Sequence, residues 1–227
     1  MKSKFIYSDT NKRYHTLSYF LKKKFGKKVI KISLNGGFTC PNRDGTKGTG
    51  GCIYCSESGS GDFGGDPCKS IRDQFAEVRH RLAEKWPDAL YIPYFQAGTN
   101  TYAPVEKLRP LFEEALSIEN AVGLSVSTRP DCISEECADY LKELSERTYL
   151  TAELGLQTVH DSTAVKINRC HSYEDFLRGY NMLAERGINV CVHIINGLPG
   201  ESRETMLRSA EDVANLHPDM VKIHLMH

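Results

Sequence analysis

The chain has 227 residues, enough for one well-buried α/β domain but too few for two large ones. Hydrophobic residues make up 40% and charged residues 26%, which excludes a disordered or fibrous class and is ordinary for a soluble globular protein. The first residues contain no long apolar run. We therefore expect neither a signal peptide nor a membrane span, and we expect a cytoplasmic location.

The net charge is zero, but the charges are unevenly distributed. Residues 1–35 contain ten Lys and Arg against one acid, Asp9, which gives about +9, and the other 192 residues contain 19 basic and 28 acidic side chains, which gives about −9. Such a segment can contact a polyanion, although an amphipathic helix with a solvated basic face explains the same charges. We interpret residues 1–28 as a basic N-terminal extension and residues 29–227 as the core domain.

Six apolar strands alternate with helices along the chain. A short amphipathic helix is predicted within residues 14–26. The predicted strands occupy residues 29–35, 89–95, 121–127, 149–157, 189–195 and 220–226. The predicted crossover helices occupy residues 69–86 or begin at Pro104, Ser134, Ser172 and about Arg203.

This βα rhythm predicts an α/β fold in which a parallel sheet carries helices on its faces. The strands are apolar along most of their length, so we expect both faces to be buried. The sequence stops at the end of a strand, which would leave a bare sheet edge. We therefore predict a partial (β/α)6 barrel that is truncated at its C-terminus.

A cysteine loop, CPNRDGTKGTGGCIYC, spans Cys40 to Cys55 after the first predicted strand. Cys52 and Cys55 form a C-x2-C pair that can reach one metal centre, and the intervening glycines allow Cys40 to join them. Three thiolates are one fewer than a closed zinc site or a fully ligated [4Fe–4S] cluster requires. A cluster held here would leave one iron open to a ligand that is not protein.

The other five cysteines leave alternatives open. Without an export signal, cysteines indicate metal or redox chemistry rather than structural disulfides. The spacing also permits a Zn(Cys)4 site completed by Cys68, although zinc sites more often use two C-x2-C pairs. Cys170 can face the same site. Cys132, Cys137 and Cys191 are expected to be ordinary or inert buried thiols.

Polar motifs follow the predicted strands at one end of the sheet. In parallel α/β sheets and barrels, functional residues gather in the loops after the carboxyl ends of the strands. The motifs at these positions are FQAGTNTYAP (95–104), STRPD (127–131), LGLQT (154–158) and HIINGLPGE (193–201). Arg169, in NRCHS (168–172), can clamp a carboxylate at the same mouth.

Together these motifs resemble the radical S-adenosylmethionine (SAM) superfamily, in the branch of the coproporphyrinogen dehydrogenases and the Elongator catalytic subunit. More narrowly, they resemble the small bacterial YhcC/YtqA-type proteins from roughly residue 14 to the end. The eleven residues between Cys40 and Cys52 exceed the usual C-x3-C-x2-C spacing but are typical of this branch. The resemblance implies a [4Fe–4S] cluster and SAM as cofactors.

The resemblance also implies roles for individual residues. Cys40, Cys52 and Cys55 would ligate three irons, and the fourth iron would bind the amino and carboxylate groups of SAM. Tyr54 would lie near the adenine, and Gly98 stands where a larger residue is expected. The implied SAM-binding residues are Tyr54, Gln96, Gly98, Thr99, Ser127, Glu153, Gln157, Arg169 and His193.

The implied reaction is reductive cleavage of SAM to a 5′-deoxyadenosyl radical, with electrons from a reductant such as flavodoxin or ferredoxin. The resemblance suggests tRNA as the substrate and conversion of a carboxymethylaminomethyl group on the wobble uridine to aminomethyl. Two other hypotheses are a radical SAM reaction on a small molecule or porphyrin, and a non-catalytic zinc-stabilised binding protein. The first would lack the salt-dependent RNA binding that a polyanion substrate produces, and the second would be colourless, contain stoichiometric zinc and leave SAM intact.

Overall fold

In a computed structural model that describes residues 9–226, six parallel strands lie side by side in chain order and curl into a half-barrel. This confirms the predicted partial (β/α)6 barrel. The first eight residues of the predicted basic extension and His227 lie outside the described residues. The strands are β1 (Val29–Leu34), β2 (Leu90–Phe95), β3 (Gly123–Thr128), β4 (Tyr149–Gln157), β5 (Asn189–Asn196) and β6 (Met220–Leu225).

Helices connect successive strands and cover the outer face of the sheet. The first helix begins at Leu17 because the Thr16 side chain accepts the backbone N–H of Tyr19 and caps the helix. The short helix α5 is additional to those predicted. The helices are α1 (Leu17–Phe25), α2 (Ile71–Ala83), α3 (Val105–Leu116), α4 (Glu135–Arg147), α5 (Asp161–Lys166), α6 (Tyr173–Ala184) and α7 (Arg203–Asn215).

Both faces of β4 are largely buried, as expected, but the two faces of the sheet differ in polarity. On β4, Leu150, Ala152, Leu154 and Leu156 pack into the core beneath the helices. The side chains between them lie on the inner face of the sheet and include the fully buried Glu153. The same alternation runs through the other inner strands. The sheet is curved, so its inner face lines a polar cavity instead of a second helical layer.

Helix α1 packs at the amino-terminal end of the half-barrel. Leu21 forms a small core with Val29 and Ile92, against which Tyr149 also packs. These residues lie at or near the amino ends of their strands, whereas the cysteine loop follows the carboxyl end of β1. A six-residue strand is about 20 Å long, so α1 and the cysteine loop lie at opposite ends of the sheet.

Candidate active site

A cavity of about 320 Å³ opens at the carboxyl ends of the strands. This volume is in the range of small-molecule sites. Cys40, Cys52 and Cys55 all line it, so the fold brings the three predicted ligands to one place. Of the predicted SAM-binding residues, all except Glu153 line the same cavity: Tyr54, Gln96, Gly98, Thr99, Ser127, Gln157, Arg169 and His193.

Backbone hydrogen bonds fold the cysteine loop back on itself. The backbone N–H groups of Arg43 and Asp44 donate to the Cys40 carbonyl at 2.8 and 3.1 Å, and that of Cys55 donates to the Cys52 carbonyl at 3.0 Å. The Arg43 guanidinium lies so close to Gly51 that a Cβ there would lie 2.9 Å from the Arg43 Nε. These contacts hold the C-x2-C pair beside Cys40 and explain the glycine before it.

The loop between α5 and α6 holds the cysteine loop in place. The Asn168 amide donates to the carbonyls of Thr49 and Gly51 at 3.1 and 2.7 Å, and the Ile53 backbone N–H donates to the Ile167 carbonyl at 3.1 Å. Asn168 adopts a left-handed backbone with φ +53°, which asparagine tolerates better than most residues. The first residue of the NRCHS motif therefore has a structural role at the cluster loop.

Cys52 has polar contacts of its own. The Asn42 amide nitrogen lies 3.4 Å from the Cys52 sulfur. Burial raises the pKa of the Cys52 thiol, while hydrogen bonds from Tyr54 and Asn42 lower it. Burial also raises the pKa of Tyr54 well above its ordinary value, so this phenol stays protonated. The protein thus directs neutral donors toward one of the three sulfurs.

Two glycine-rich stretches touch at the second-strand loop. The Gly98 backbone N–H donates to the Gly59 carbonyl at 3.0 Å, and the Thr99 N–H donates to the Thr39 carbonyl at 3.1 Å. Gly98 has φ +72°, and a Cβ there would lie 2.2 Å from the Phe38 carbonyl oxygen. A larger residue, which the sequence comparison led us to expect at position 98, therefore does not fit. The Phe38 backbone approaches position 98 so closely that only glycine fits there.

Gln157 and Arg169 both line the cavity. Gln157 has φ +64° at a register shift in β4, and its side-chain amide lies 3.2 Å from the Tyr54 hydroxyl. Arg169 is fully buried. Its guanidinium donates to the carbonyls of Leu156, Thr158 at 2.6 Å and His171 at 3.0 Å. Arg169 thus lines the cavity with a guanidinium that is already largely bound to backbone carbonyls.

Glu153 lies behind the cavity wall. Its carboxylate is fully buried, forms an ion pair with Lys31, and accepts the His193 Nε2–H at 2.7 Å. Burial alone would raise the pKa of Glu153, but the His193 hydrogen bond and the Lys31 charge outweigh burial and lower it. Burial lowers the pKa of His193, so the imidazole is neutral and carries its proton on Nε2.

The comparisons with known proteins agree with this geometry. The sequence profile of the Radical SAM superfamily matches residues 40–213, more than half of the chain. The chain belongs to the radical SAM superfamily. The chain is 55% identical to YtqA of Bacillus subtilis over 98% of its own length and 69% of that protein. It is 41% identical to YhcC of Escherichia coli over 91% of its length and 66% of that protein.

More distant similarities cover only part of the chain or rest on the fold. A tRNA uridine(34) acetyltransferase of Methanocaldococcus infernus is 33% identical over 109 residues, which cover 45% of this chain and 19% of that protein. The structure of an Elp3 from the same archaeon has a TM-score of 0.62 at 20% identity and covers 87% of this chain and 45% of that one. The structural similarity supports the fold alone. The chain spans about two thirds of YtqA and YhcC.

Radical SAM proteins use a [4Fe–4S] cluster and SAM, and the thiols here fit a cluster. Within residues 9–226, the one group of three His, Cys, Asp or Glu ligand atoms that all lie within 4.8 Å of one another is Glu153, Cys191 and His193. Cys40, Cys52 and Cys55 all line one cavity, and three thiolates form a ligand set that leaves one iron of such a cluster open. Cys68 is exposed and does not line the cavity.

Several residues of the site escaped the sequence analysis. Asn42 and Arg43 stand inside the quoted CPNRDGT motif, but only the contacts of their side chains reveal what they do. Arg129, in STRPD, is buried and ion-paired with Asp131 at 2.9 Å. Lys222 also lines the cavity. Its strand was predicted, but a lysine in an apolar strand gives no signal of its own.

No helix in the described part of the chain is long and apolar enough to cross a membrane. The longest helices have 13 residues, whereas a membrane-spanning helix needs about 20 apolar ones.

Proposed function

We propose that this chain is the catalytic core of a radical SAM enzyme that modifies the wobble uridine of tRNA by converting a carboxymethylaminomethyl group to aminomethyl. The similarity to a tRNA uridine(34) acetyltransferase supports this substrate most directly, because that protein is named for the same nucleotide position. This similarity covers less than half of the chain, so the wobble-uridine substrate is a proposal, whereas membership of the radical SAM superfamily is established by the family match.

The residues of the site divide into two groups in this proposal. Cys40, Cys52 and Cys55 hold three irons of the cluster, and the loop contacts of Asn42 and Asn168 keep them in place. When bound, the cluster and SAM would supply a 5′-deoxyadenosyl radical that removes a hydrogen atom from the CH2 next to the substrate carboxylate. Return of one electron to the cluster would leave an imine, and hydrolysis of the imine by water would release the aminomethyl product and glyoxylate. A reductant such as flavodoxin or ferredoxin would donate the electron.

The second group binds and orients SAM. Tyr54 is partly buried beside Cys52 and offers an apolar ring and a protonated hydroxyl. Gln157 is held by Tyr54, and Thr99 is held at the Gly98 turn. Arg169 positions the loop beneath them through its backbone contacts.

The basic N-terminal segment has a limited part in this proposal. Lys22, Lys23 and Lys24 lie on the exposed side of α1, at the end of the half-barrel opposite the cavity. They can contact phosphates that lie about 20 Å or more from the modified base, but not the base itself. Their removal should weaken tRNA binding in a salt-dependent way without changing which uridine is modified.

The test is mass spectrometry of wobble-uridine nucleosides in tRNA from cells with and without the gene. Loss of the gene should raise the carboxymethylaminomethyl form and deplete forms that derive from aminomethyl. Complementation with the wild-type gene should restore the profile, whereas Cys52→Ala should not. Identical profiles in the two strains would refute tRNA as the substrate and leave the radical SAM assignment intact.

A further inference from the structure

The inner wall of the cavity at its β6 edge carries an array of hydrogen-bond donors. Lys222 and His224 lie two residues apart on β6 and line the cavity, together with Tyr94 from β2 and His193 from β5. The Lys222 ammonium lies 3.5 Å from the Tyr94 hydroxyl, and the His193 and His224 rings have centroids 5.5 Å apart. No SAM-binding role was predicted for Lys222, Tyr94 or His224.

The charges of this wall do not balance. Glu153 is the one carboxylate that Lys31, His193 and Lys222 approach in the ion pairs of the described residues. Lys31 pairs with it directly and His193 donates to it at 2.7 Å, whereas the Lys222 Nζ stays 3.7 Å away, beyond ordinary hydrogen-bond distance. Two ammonium groups therefore share one carboxylate, and Lys222 is the one that lines the cavity.

The other donors of the wall are neutral. Burial lowers the pKa of His193, and partial desolvation beside His193 lowers the pKa of the more exposed His224 to about 4. Burial and the nearby Glu153 charge raise the pKa of Tyr94 above its ordinary value, so its hydroxyl stays protonated. The wall thus presents one cation flanked by uncharged groups that can donate hydrogen bonds. This is the arrangement that binds a small oxyanion, because a carboxylate accepts several hydrogen bonds.

We infer that Lys222, with Tyr94 and His224, forms an anion-binding subsite that receives a carboxylate of the substrate. This inference rests on the proposed function, in which the carboxymethylaminomethyl group ends in a carboxylate. A carboxylate at the tip of a side chain can enter the cavity and reach Lys222. A phosphate of the RNA backbone is bridged on two sides, so it cannot reach the same depth. The subsite would let the enzyme distinguish its substrate from the aminomethyl product, which lacks the carboxylate.

The experiment compares three anticodon stem-loops that carry carboxymethylaminomethyluridine, aminomethyluridine or uridine at the wobble position. Their binding to the full chain, reconstituted with cluster and SAM, is measured by fluorescence anisotropy at fixed salt. The wild type should prefer the carboxylated stem-loop, and Lys222→Met should reduce that preference about tenfold, which corresponds to ~1.4 kcal/mol. Lys222→Arg keeps the charge and should keep most of the preference.

Two controls separate this effect from general ones. Lys107→Met removes one exposed charge from the outer helix α3 and should leave the preference unchanged. Thermal melts of each variant identify loss of folding, and the arginine variant provides a folded comparison at the same position.

The outcomes distinguish the subsite from the proposed function. If Lys222→Met weakens all three stem-loops equally, Lys222 contacts phosphate or acts through general electrostatics, and the carboxylate subsite is wrong. If Lys222→Met keeps the full preference of the wild type, the subsite is wrong while the proposed function stands. If the wild type itself does not distinguish the three stem-loops, both the subsite and the proposed wobble-uridine function are overturned.

Discussion

The buried carboxylate of Glu153 provides the sharpest test of the barrel interior. Glu153→Gln keeps the shape and the contact with His193 but removes the charge that balances Lys31 and Lys222. Removing one partner of a buried ion pair costs about 3–5 kcal/mol, because the other charge stays buried without compensation. The side chains of Lys31 and Lys222 are 23% and 39% exposed, so both can reach water. We therefore expect the free energy of unfolding to fall by about 3 kcal/mol, the lower end of that range.

Urea denaturation of both proteins at several pH values measures this loss. The folded-state pKa of Glu153 is held below its ordinary value, so its stabilising contribution is present above the ordinary carboxyl pKa of about 4.3. The contribution is lost as the pH falls below that value, because protonation then removes the same charge. Glutamine cannot titrate in this range. The stability difference between the two proteins should be constant near neutral pH and should narrow below about pH 4.

A double-mutant cycle supplies the control. Lys31→Met removes the direct ion-pair partner of Glu153, so Glu153→Gln should cost clearly less in the Lys31→Met background than alone. Glu77→Gln breaks a pair with Lys69 in which both side chains are about half exposed, and it should not measurably change stability. Equal costs of Glu153→Gln in both Lys31 backgrounds, or a cost as small as that of Glu77→Gln, would refute the argument.

Two further predictions concern the cysteine loop and its neighbour. Gly98→Ala should lower the free energy of unfolding, measured by thermal melts, by roughly 2–5 kcal/mol, since its Cβ would clash with the Phe38 carbonyl. Gly37 has a similar φ of +73° but open space around it, so Gly37→Ala should cost only about 1–2 kcal/mol. Equal losses in the two variants would contradict the clash. Asn42→Ala removes an N–H donor from Cys52 and should lower the cluster's reduction potential by tens of millivolts in a titration followed by electron paramagnetic resonance; an unchanged potential would exclude this tuning role.

The strands were the most predictable part of the fold. β4 occupies residues 149–157 as predicted, and α6 follows Ser172, the predicted helix start, where Ser172 and Asp175 form a capping box. These elements have strong local signals in apolar runs and paired caps. Helix α5 has only six residues, too few to show a helical period, and was missed for that reason.

The site was predictable as a set of residues but not as a set of contacts. The motifs placed the three cysteines and most SAM-binding residues around one mouth, because loops after parallel strands meet there. They did not reveal that Glu153 lies one layer below the cavity or that Arg169 is held by backbone carbonyls. Depth in a curved sheet and the partners of a buried side chain depend on residues distant in sequence, which motif spacing does not record.

The most direct test of the account is anaerobic reconstitution of the protein with iron and sulfide, followed by dithionite and SAM. We predict a brown protein with four irons per chain that forms 5′-deoxyadenosine, and we predict that Cys52→Ala loses both the colour and the product. A colourless protein that retains stoichiometric zinc and leaves SAM intact would contradict the central claim.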